Sequence, residues 1–492
     1  MGINGLWPEL QAVEQKISLS ELAVSTGFVA NVNGVRGYRV GIDASGWMYR
    51  ACALQYGNAK GPALVQLFAR CSRLFRLPFI PIFVFDGPAR PKIKRGAVIR
   101  GNDHCLAESF QQMLDGFGFV WRIAPGEAEA TLATMNVAGT PASIDAILTD
   151  DSDAFVFGAS TVLRIRTEDN KAFEASQYSA NDISTRLGLD RDGLILIALL
   201  AGGDYSNGLR SCGITIAIGL ARAGLGTQLI SALFSQLPAV SVDAWRQALR
   251  LEMQTNNSGH LPHRCKYCKA LADKIPHDFP DLDILNLYLR PIVSNATLIP
   301  LALHPPRLDI LARFAEKHFA WGNSFGILEH FAEHLFAGLV VRELVQGALA
   351  NDGFFVQEQS KSIIGRIVGD RRHTSTGQLA ELRVLLNVDP AILQAALGAI
   401  TGKRDTAASK AAAVVWVAQI LPRQRAWVPQ SMVEHLSASI VLDYISAKNE
   451  GKQPGKQESG SGKTSKTKKT KEKILKAKRR GGAGLGIRGG KD

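Results

Sequence analysis

The sequence predicts an α/β fold built on a doubly wound, mainly parallel sheet, followed by a small α+β module and a disordered basic tail. Between residues 40 and 166 short apolar runs alternate with amphipathic helical stretches, which is the pattern of such a sheet. Apolar residues make up 46% of the 492 residues and charged residues 21%, which is enough apolar material for a packed interior. A chain of this length is expected to form two or three domains.

Five apolar runs are the predicted strands of the sheet, with helices such as 63–77 and 127–135 between them. The predicted strands are 39–42, 79–85, 119–123, 145–148 and 161–165. Residues 190–224 then have the pattern of a helix, a glycine-rich turn and a second helix. Mostly helical segments follow to about residue 350, including one strong helix at 325–348.

Beyond residue 351 the pattern changes. Two strands at 362–368 and 379–388 are predicted around a polar turn, followed by a helix at 390–400. The chain is therefore expected to consist of a core with a helix-turn-helix near 190–225, a small module and a basic tail. The predicted boundaries of these three parts are 1–350, 351–445 and 446–492.

The net charge of +13 is concentrated in the tail. Residues 448–492 carry 15 Lys and Arg against 4 Asp and Glu, a net charge of +11, among many Gly, Ser and Thr residues. Such a segment buries too little surface to fold and is attracted to polyanions, so nucleic acid is the expected partner. The basic run 476–480 also fits a nuclear-import signal, and the two roles are compatible.

Other features of the sequence exclude some classes of protein. No uncharged apolar run reaches about 18 residues, and the N-terminal residues lack a basic region followed by an apolar stretch, so neither a membrane span nor secretion is expected. The six cysteines are scattered through the chain, which predicts reduced thiols. Cys265 and Cys268, with His260 and His263 nearby, could bind zinc, but their compressed spacing favours an ordinary loop.

Acidic residues follow three of the predicted strands. In an open parallel sheet the carboxyl ends of the strands line one crevice, so these acids are expected to converge there. The strand-end acids are Asp43, Asp86, Asp150 and Asp151. Further acids in the same part of the sequence are Glu127, Glu129, Asp153 and Asp204.

Clustered carboxylates repel one another and need a counterion. A ligand set of oxygen atoms without His or Cys favours Mg²⁺ or Mn²⁺ over zinc, and a pair of such ions can cleave a phosphodiester. A single strand-end aspartate is more often a helix N-cap, but three of them with two glutamates favour metal binding. Because residues i and i+2 of an ideal helix face different ways, Glu127 and Glu129 are equivalent ligands only if the helix end is distorted.

Six motifs, in this order, resemble the flap-endonuclease/xeroderma-pigmentosum-group-G nuclease superfamily. They are MGINGLW at 1–7, IDASGWMY at 42–49, FVFDG at 83–87, PGEAEA at 125–130, TDDSD at 149–153 and GGDY at 202–205. The resemblance spans residues 1 to about 225 and implies a PIN-like core with a helical gateway, and Mg²⁺-dependent, structure-selective cleavage of DNA. The metal-site acids that it implies are Asp43, Asp86, Glu127, Glu129, Asp151, Asp153 and Asp204. Asp150 would be an outer neighbour.

The resemblance also implies residues that contact DNA. The family's catalytic arginine falls at Arg100, and its catalytic lysine at Lys94, although Lys92 also fits the spacing. Basic groups beside an acidic crevice can hold the scissile phosphate, whereas a Lys/Arg cluster alone is usually a solvated face. Tyr49 matches an aromatic that stacks on a base, with packing in the core as its alternative. The implied DNA-binding residues are Gly2, Tyr49, Arg90, Lys92, Lys94, Arg95, Arg100, Gly208, Gly213, Arg366, Arg371 and Arg372.

Residues 208–213, after Asp204, resemble the family's helix-two-turn-helix, whose backbone clamps duplex phosphates and often a K⁺ ion. Glycine permits the close backbone approach that such a clamp needs. Ser211 stands where the family usually has glycine, which leaves the K⁺ site open. Contacts to phosphate position a duplex without reading its sequence.

The spacing and later segments indicate a branch of the superfamily. Only 40 residues separate Asp86 from Glu127, which disfavours the nucleotide-excision-repair branch, and no sliding-clamp motif of flap endonucleases is found. Segments 279–282 and 287–291, and 321–322 with the helix after it, resemble the Holliday-junction-resolvase branch, of the fungal-type eukaryotic kind. The module at 351–445 stands where that branch carries a chromodomain. Few aromatics lie in 363–388, so DNA contact suits this module better than a methyl-lysine cage.

The expected function is a nuclear endonuclease that resolves Holliday junctions by paired nicks and also cuts 5′ flaps, in DNA recombination and repair. Branched DNA, including replication forks, is the expected partner of a protein that is monomeric in solution and dimeric on a junction. The alternatives are a replication-type flap endonuclease or 5′ exonuclease, and a catalytically silent DNA-binding scaffold. The complete set of seven acids argues against the scaffold.

Overall fold

The computed structural model describes residues 2–30, 34–53, 60–91, 93–94, 97–98, 104–139, 143–165, 174–262, 266–293, 303–353 and 363–450. Its strands are β1 Gln15–Ser18, β2 Tyr38–Asp43, β3 Phe79–Phe85, β4 Ile93–Lys94, β5 Ala97–Val98, β6 Val120–Ile123, β7 Ala146–Leu148, β8 Thr161–Arg164, β9 Glu174–Ser179, β10 Ile364–Arg372, β11 Ala380–Leu386 and β12 Arg425–Pro429.

The first helices lie around the large sheet and in the region that follows it. They are α1 Leu6–Leu10, α2 Leu19–Glu21, α3 Ala44–Ala53, α4 Lys60–Phe75, α5 Ala107–Phe117, α6 Ala128–Val137, α7 Asp153–Val156, α8 Ala180–Leu187, α9 Arg191–Ala201, α10 Ile214–Arg222, α11 Leu225–Leu233 and α12 Pro238–Thr255. The later helices are α13 Lys266–Ala272, α14 Leu282–Leu289, α15 Leu308–His318, α16 Ser324–His334, α17 Phe336–Asn351, α18 Pro390–Gly398, α19 Ala407–Val415 and α20 Gln430–Asn449.

The large sheet confirms the predicted fold class. Its strand order is β1-β9-β8-β7-β2-β3-β6. The strands from β8 to β6 are parallel, whereas β9 and β1 pair antiparallel at one edge. The five predicted strands correspond to β2, β3, β6, β7 and β8, whereas β1 and β9 were not predicted.

The order of the strands reverses at β2. From β2 the chain proceeds to β3 and β6 on one side, and it then returns to place β7 and β8 on the other side. In a doubly wound sheet such a reversal opens a crevice at the carboxyl ends of the central strands, because the connecting helices diverge to opposite faces. The fold therefore places a crevice beyond the last residue of β2.

Each face of the sheet has its own buried core. Alternate residues of a strand point to opposite faces, so in β3 Phe83 and Phe85 join one core while Ile82 and Val84 join the other. The first core also contains buried residues of α4, α5, α15, α16 and α17. The second contains those of α6, α9 and α10.

The predicted single helix at 325–348 is wrong, because two helices, α16 and α17, occupy this stretch. The backbone leaves helical geometry at Leu335, where φ is −113° and ψ is −33°. Beyond the break α17 packs on the end of α4, where Gly338 leaves room for the ring of Phe75 and buried Arg342 donates to the carbonyls of Leu74 and Phe75. Apolar spacing continues across Leu335, so no local signal marks this break.

Residues 363–450 form the antiparallel sheet β10-β11-β12 with helices α18, α19 and α20. The two predicted strands and the predicted helix correspond to β10, β11 and α18, whereas β12 and α20 were missed. Ile364, Val384 and Val428 of this sheet belong to the same buried core as α17. Contacts group residues 1–445 in one unit and 446–492 in another. The predicted tail lies, from residue 451 onward, outside the described residues.

Within the described residues, no single helix is both long and apolar enough to cross a membrane. The pair α10 and α11 meets this criterion only when the two helices are counted together, across a bend of 69°.

Candidate active site

The strand-end acids come together at the crevice beyond β2. Asp43 is the last residue of β2, Asp86 follows the neighbouring strand β3, and Asp151 follows β7 on the other side. Asp43 is only 2% exposed. Burial and the charges of Asp86 and Asp151 raise the pKa of the Asp43 carboxyl to about 7. The predicted convergence of these acids is therefore present in the fold.

Two of these aspartates also cap helices, as the alternative interpretation expected. Asp43 Oδ1 accepts the Gly46 amide at 3.1 Å, and Asp86 Oδ1 accepts the Ala128 amide at 2.9 Å. Asp43 Oδ2, however, is buried and has no hydrogen-bond partner among the described residues. A buried carboxylate oxygen without a partner is costly, so helix capping alone does not account for this side chain.

Glu127 and Glu129 both reach the crevice because the backbone is not helical at Glu127. Two residues at positions i and i+2 can face the same way only with such a departure from helical geometry. Glu127 precedes the helix in an extended conformation, with φ −87° and ψ 144°, whereas Glu129 lies in its first turn. Both carboxyls are buried. Burial raises the pKa of Glu127 to about 7. Burial and the charges of Asp43 and Asp86 also raise the pKa of Glu129 well above its usual value.

The N-terminal segment packs directly on the acids that follow β7. The Ile3 amide donates to Ser152 Oγ at 3.0 Å and to Asp153 Oδ1 at 3.1 Å. Gly2 has φ +78°, and a Cβ there would lie 2.4 Å from Asp151 Oδ1. Only glycine fits this position, because any side chain would enter the carboxylate cluster. The structure thus places Gly2 against the acids, and its predicted contact with DNA stays a prediction.

A lysine ammonium lies among the acids. Lys94 Nζ forms an ion pair with Glu127 and lies 3.1 Å from Asp204 Oδ2. Burial lowers the pKa of Lys94, but the negative charges of Glu129, Glu127 and Asp204 outweigh burial and raise that pKa overall. Lys94, one of the two lysines that fit by spacing, is therefore at the site. Lys92, Arg95 and Arg100 lie outside the described residues, and Arg90 is half-buried.

Asp150 turns away from the cluster. Its carboxylate forms ion pairs with Arg50 and with Arg164, and its carbonyl accepts the Trp7 indole N–H at 2.9 Å. The Arg164 guanidinium also lies over the Trp7 ring, 4.4 Å from its centroid. This charge is compensated by protein groups, which agrees with the expected place of Asp150 outside the metal-site acids.

Two tyrosines at the site were not assigned from the sequence. The Tyr205 hydroxyl donates to Glu127 Oε2. Tyr288 is fully buried against Tyr205, with ring centroids 4.7 Å apart. Burial raises the pKa of Tyr288, and the negative charges of Asp153 and Asp204 raise it further. Tyr205 follows Asp204 directly and could have been considered, but Tyr288 lies on α14 and no local pattern connects it to the acids.

The other predicted DNA-contacting positions lie around this site. Tyr49 is 59% exposed, with its ring edge-on to His104, so its alternative role in core packing is wrong. In the turn between α9 and α10, Gly208 and Ser211 both have φ of +72°. Ser211 therefore adopts the left-handed conformation in which glycine is favoured. Gly213 precedes α10, and a Cβ there would meet no atom within 4 Å.

The arginines of the small sheet differ in their surroundings. Arg366 is exposed. Arg371 donates to buried Glu381 at 2.8 Å and lies over the Trp427 ring, 4.1 Å from its centroid. Arg372 donates to the carbonyl of Gln378 at 3.0 Å.

The zinc candidates cannot be assembled from the described residues. His260 is exposed, whereas His263 and Cys265 lie outside the described ranges. Cys268 is buried and disulfide-bonded, so the expectation of reduced thiols is wrong for this residue, and its sulfur is not free to bind zinc.

Comparisons with known proteins agree with this geometry. The families described as XPG N-terminal domain and XPG I-region match residues 1–103 and 118–204. Flap endonuclease GEN homolog 1 of Homo sapiens is 29% identical over 310 residues, which cover 57% of this chain and 32% of that protein. This chain therefore spans about a third of the length of that curated relative.

Two solved structures cover most of the chain. The Holliday junction-resolving enzyme GEN1 in complex with product DNA and Mg²⁺ is 28% identical, with a TM-score of 0.67, and the match covers 91% of this chain and 99% of that one. The eukaryotic junction-resolving enzyme GEN-1 with potassium is 28% identical, with a TM-score of 0.68, over 91% of this chain and 100% of that one.

The matched regions contain the first five motifs and the sixth up to Asp204. They also contain all seven acids of the crevice. The structural matches cover 91% of this chain, which is more than the two family regions together. The predicted resemblance to the flap-endonuclease/xeroderma-pigmentosum-group-G nuclease superfamily, in its Holliday-junction-resolvase branch, is therefore confirmed.

Proposed function

We propose that the protein is a Mg²⁺-dependent, structure-selective DNA endonuclease that resolves Holliday junctions by paired nicks and also cuts 5′ flaps, in recombination and repair. The observation that carries this proposal is the set of seven acids in one crevice, with Asp43 Oδ2 and Glu129 Oε2 buried and unpartnered within the described residues. The related enzyme with product DNA and Mg²⁺ supports the substrate class.

The acids of the crevice fit hard divalent cations. Every candidate ligand atom is a carboxylate oxygen, the donor that Mg²⁺ prefers, and Mn²⁺ accepts the same set. The residues that would hold two ions are Asp43, Asp86, Glu127, Glu129, Asp151, Asp153 and Asp204. Such a pair, when bound, activates a water and stabilises the leaving oxygen of a phosphodiester. Raised carboxyl pKa values match this role, because a bound cation would favour the ionised forms.

The chain's own residues position the DNA at this crevice. Lys94 brings a positive charge to the acids and is placed to hold the scissile phosphate. Tyr205 holds the Glu127 carboxylate by a hydrogen bond and so fixes its orientation. Exposed Tyr49 offers a ring on which a base near the cut can stack. Arg100 is proposed to contact the same phosphate as Lys94.

The turn between α9 and α10 is proposed to clamp the duplex by its phosphates. Gly208 leaves space for close backbone approach, and the open position at Gly213 begins α10, whose N-terminal amides can face a phosphate. A K⁺ ion is proposed at this turn, as in the related enzyme solved with potassium. Ser211 already has the backbone conformation that this turn requires, so the serine itself does not exclude the ion.

The small sheet is proposed to be a chromodomain-like module that holds an additional arm of the junction. Arg366 on β10 is the residue best placed for this role because it is exposed, whereas Arg371 is already paired with Glu381. We further propose a nuclear location, a monomer in solution and a dimer on the junction, since two opposing nicks require two crevices.

The test is a gel assay that compares a static junction, a 5′ flap and a nicked duplex, with Mg²⁺ or EDTA. Cleavage of junction and flap with Mg²⁺ alone is expected. Paired nicks in a cruciform plasmid, made within the lifetime of one complex, would support junction resolution. Unpaired nicks would support the flap-endonuclease alternative, and binding without any cleavage would support the scaffold.

The role of the small sheet is tested by Arg366→Glu. We expect junction cleavage to fall more than flap cleavage at matched salt, because the lost phosphate contact lies beyond the part of the enzyme that a flap covers. Equal losses on both substrates would contradict this role. Arg313→Glu, on α15, is a matched change of an exposed arginine outside the sheet and should affect both substrates alike.

A further inference from the structure

Helix α16 carries a second cluster of potential metal ligands, away from the carboxylate crevice. His330, Glu333 and His334 stand at positions i, i+3 and i+4, which share one face of an α-helix. One ligand atom from each residue lies within 4.8 Å of the others. Two imidazoles and one carboxylate are a ligand set different in kind from the carboxylates of the crevice.

The two imidazoles are held in place by aromatic neighbours. Trp321 stacks on His330, with centroids 4.4 Å apart and planes at 18°. The His334 ring lies 5.7 Å from that of His330 at an interplanar angle of 9°, and Phe68 of α4 meets it edge-on. Rings that are already oriented lose little entropy when they bind a ligand. The exposed Glu333 carboxylate is the member that remains able to move.

The state of the two imidazoles also suits metal coordination. His330 Nδ1 is shielded from water and has no hydrogen-bond partner among the described residues, a deficit that coordination would remove. Burial, together with the charges of Arg76 and His330, lowers the pKa of His334 despite the nearby Glu333. A neutral imidazole is the form that binds metals.

The cluster occupies the last two turns of α16, where the helix dipole favours positive charge. The Arg76 guanidinium already lies at this end of the helix, where it donates to the carbonyls of Glu333 and His334. These bonds use carbonyl oxygens and leave the imidazole and carboxylate atoms available to another cation.

We propose that His330, Glu333 and His334 bind a transition-metal ion of the Zn²⁺ class. Imidazole nitrogens with one carboxylate oxygen favour Zn²⁺ over Mg²⁺. Bonds to zinc of about 2.0–2.1 Å require ligand atoms closer than they stand here, so rotation of the exposed Glu333 side chain closes the site. With water in the fourth position, the ion fixes the end of α16 against the loop of Trp321.

X-ray absorption on the full chain tests the ligands directly. One equivalent of Zn²⁺ is added in the presence of excess Mg²⁺, which occupies the carboxylate crevice. The expected spectrum shows two imidazole ligands and no sulfur. Sulfur scattering would place the zinc at cysteines rather than on α16, and oxygen ligands alone would place it in the crevice. Either result would overturn the proposal.

Variants of the full chain give the second test. The double variant His330→Gln/His334→Gln should bind Zn²⁺ at least about 100-fold more weakly in competition with a chromophoric chelator, since even outer-sphere partners of a metal contribute about 10- to 100-fold. Zn²⁺ should raise the Tm of the wild type but not of this variant. The exposed His277→Gln is the matched control and should behave as wild type.

Glu333→Gln keeps both rings and should weaken Zn²⁺ binding by about 10-fold. If the double variant does not fold, the Zn²⁺ affinity of Glu333→Gln alone tests the site. Unchanged Zn²⁺ affinity in Glu333→Gln and in a folded double variant would refute the site. Mg²⁺-dependent DNA cleavage serves as the measure of folding, because none of these residues lies in the carboxylate crevice.

Discussion

The carboxylate crevice and the small sheet at residues 363–450 both contain buried carboxylates, but these carboxylates differ in whether a protein group compensates their charge. In the crevice Asp43 Oδ2 and Glu129 Oε2 have no partner among the described residues. In the sheet the buried carboxylate of Glu381 accepts from Arg371, whose guanidinium also covers Trp427.

The difference separates charges that serve the fold from charges that require a ligand. A buried ion pair completes its own hydrogen bonds and needs nothing from outside. A buried group of like charges is stable only when some members are protonated or a cation is bound. Ion pairing, rather than the number of charged residues, therefore indicates which of the two regions binds metal.

The largest expected effect is the loss of incision by Asp43→Asn or Asp86→Asn. Removing one carboxylate charge from the crevice should lower the rate of DNA cleavage by more than about 100-fold. Affinity for DNA should change little, because contacts to phosphate dominate binding. Single-turnover cleavage and a binding titration in Ca²⁺ would measure the two effects.

Asp150→Asn is the matched control for these variants. Asp150 neighbours Asp151 in sequence, but Arg50 and Arg164 already compensate its charge. Its loss should reduce cleavage far less than the loss of Asp43. Equal losses from all three changes, or near-normal turnover by the Asp43 and Asp86 variants, would contradict the distinction between the two kinds of acid.

A second prediction concerns stability and pH in the absence of metal. The pKa values of Asp43 and Glu127 are raised to about 7 in the folded protein, whereas in the unfolded chain they are about 4. The folded state thus binds more protons between these values, and the free energy of unfolding falls as pH rises from about 4 through about 7. Tm in EDTA should be lower at pH 8 than at pH 5.

Two additions sharpen this test. Mg²⁺ should raise the Tm at pH 8, because it binds the ionised carboxylates. Asp43→Asn should be less sensitive to pH than the wild type and more stable at pH 8, since it removes one repelling charge. If the metal-free Tm of wild type and variant depended on pH in the same way, the crevice would not be the source of the effect.

Smaller effects are expected in the small sheet, where Arg366 and Arg371 should behave differently. Arg371→Ala leaves buried Glu381 without its partner and should lower the free energy of unfolding by about 1–3 kcal/mol. Arg366→Ala should leave stability within about 0.5 kcal/mol, because that side chain is exposed. Chemical denaturation of the two variants measures both quantities, and the reverse ranking would show that the pairing does not support the fold.

The smallest effect should come from the tail, which adds binding without chemistry. A chain that ends at Glu450 loses most of the C-terminal basic charge. Its affinity for DNA should fall at low salt and depend less steeply on salt concentration, because fewer counterions are released. Cleavage at saturating enzyme should persist. An unchanged salt slope, or an inactive truncated protein, would count against a DNA-binding tail.

The sequence predicted the fold class and the acids because both have local signals. Apolar runs that end in aspartate identify strand ends, and the carboxyl ends of parallel strands meet at one edge of a sheet. What depends on distant packing was missed. Tyr288 reaches the acids from α14, and the break at Leu335 follows from packing of α17 on α4. The pairing of Arg371 with Glu381 likewise requires the register of β10 and β11.

The topology of the sheet determines at what stage of folding the set of acids is complete. Asp43 and Asp204 lie about 160 residues apart in the chain, and the crevice also needs β3, α6 and β7 in their places. Long-range parallel pairing forms late in folding, since loop closure precedes its contacts. A nascent or partly folded chain therefore contains only part of the acid set and is expected to be harmless to DNA until the domain is complete.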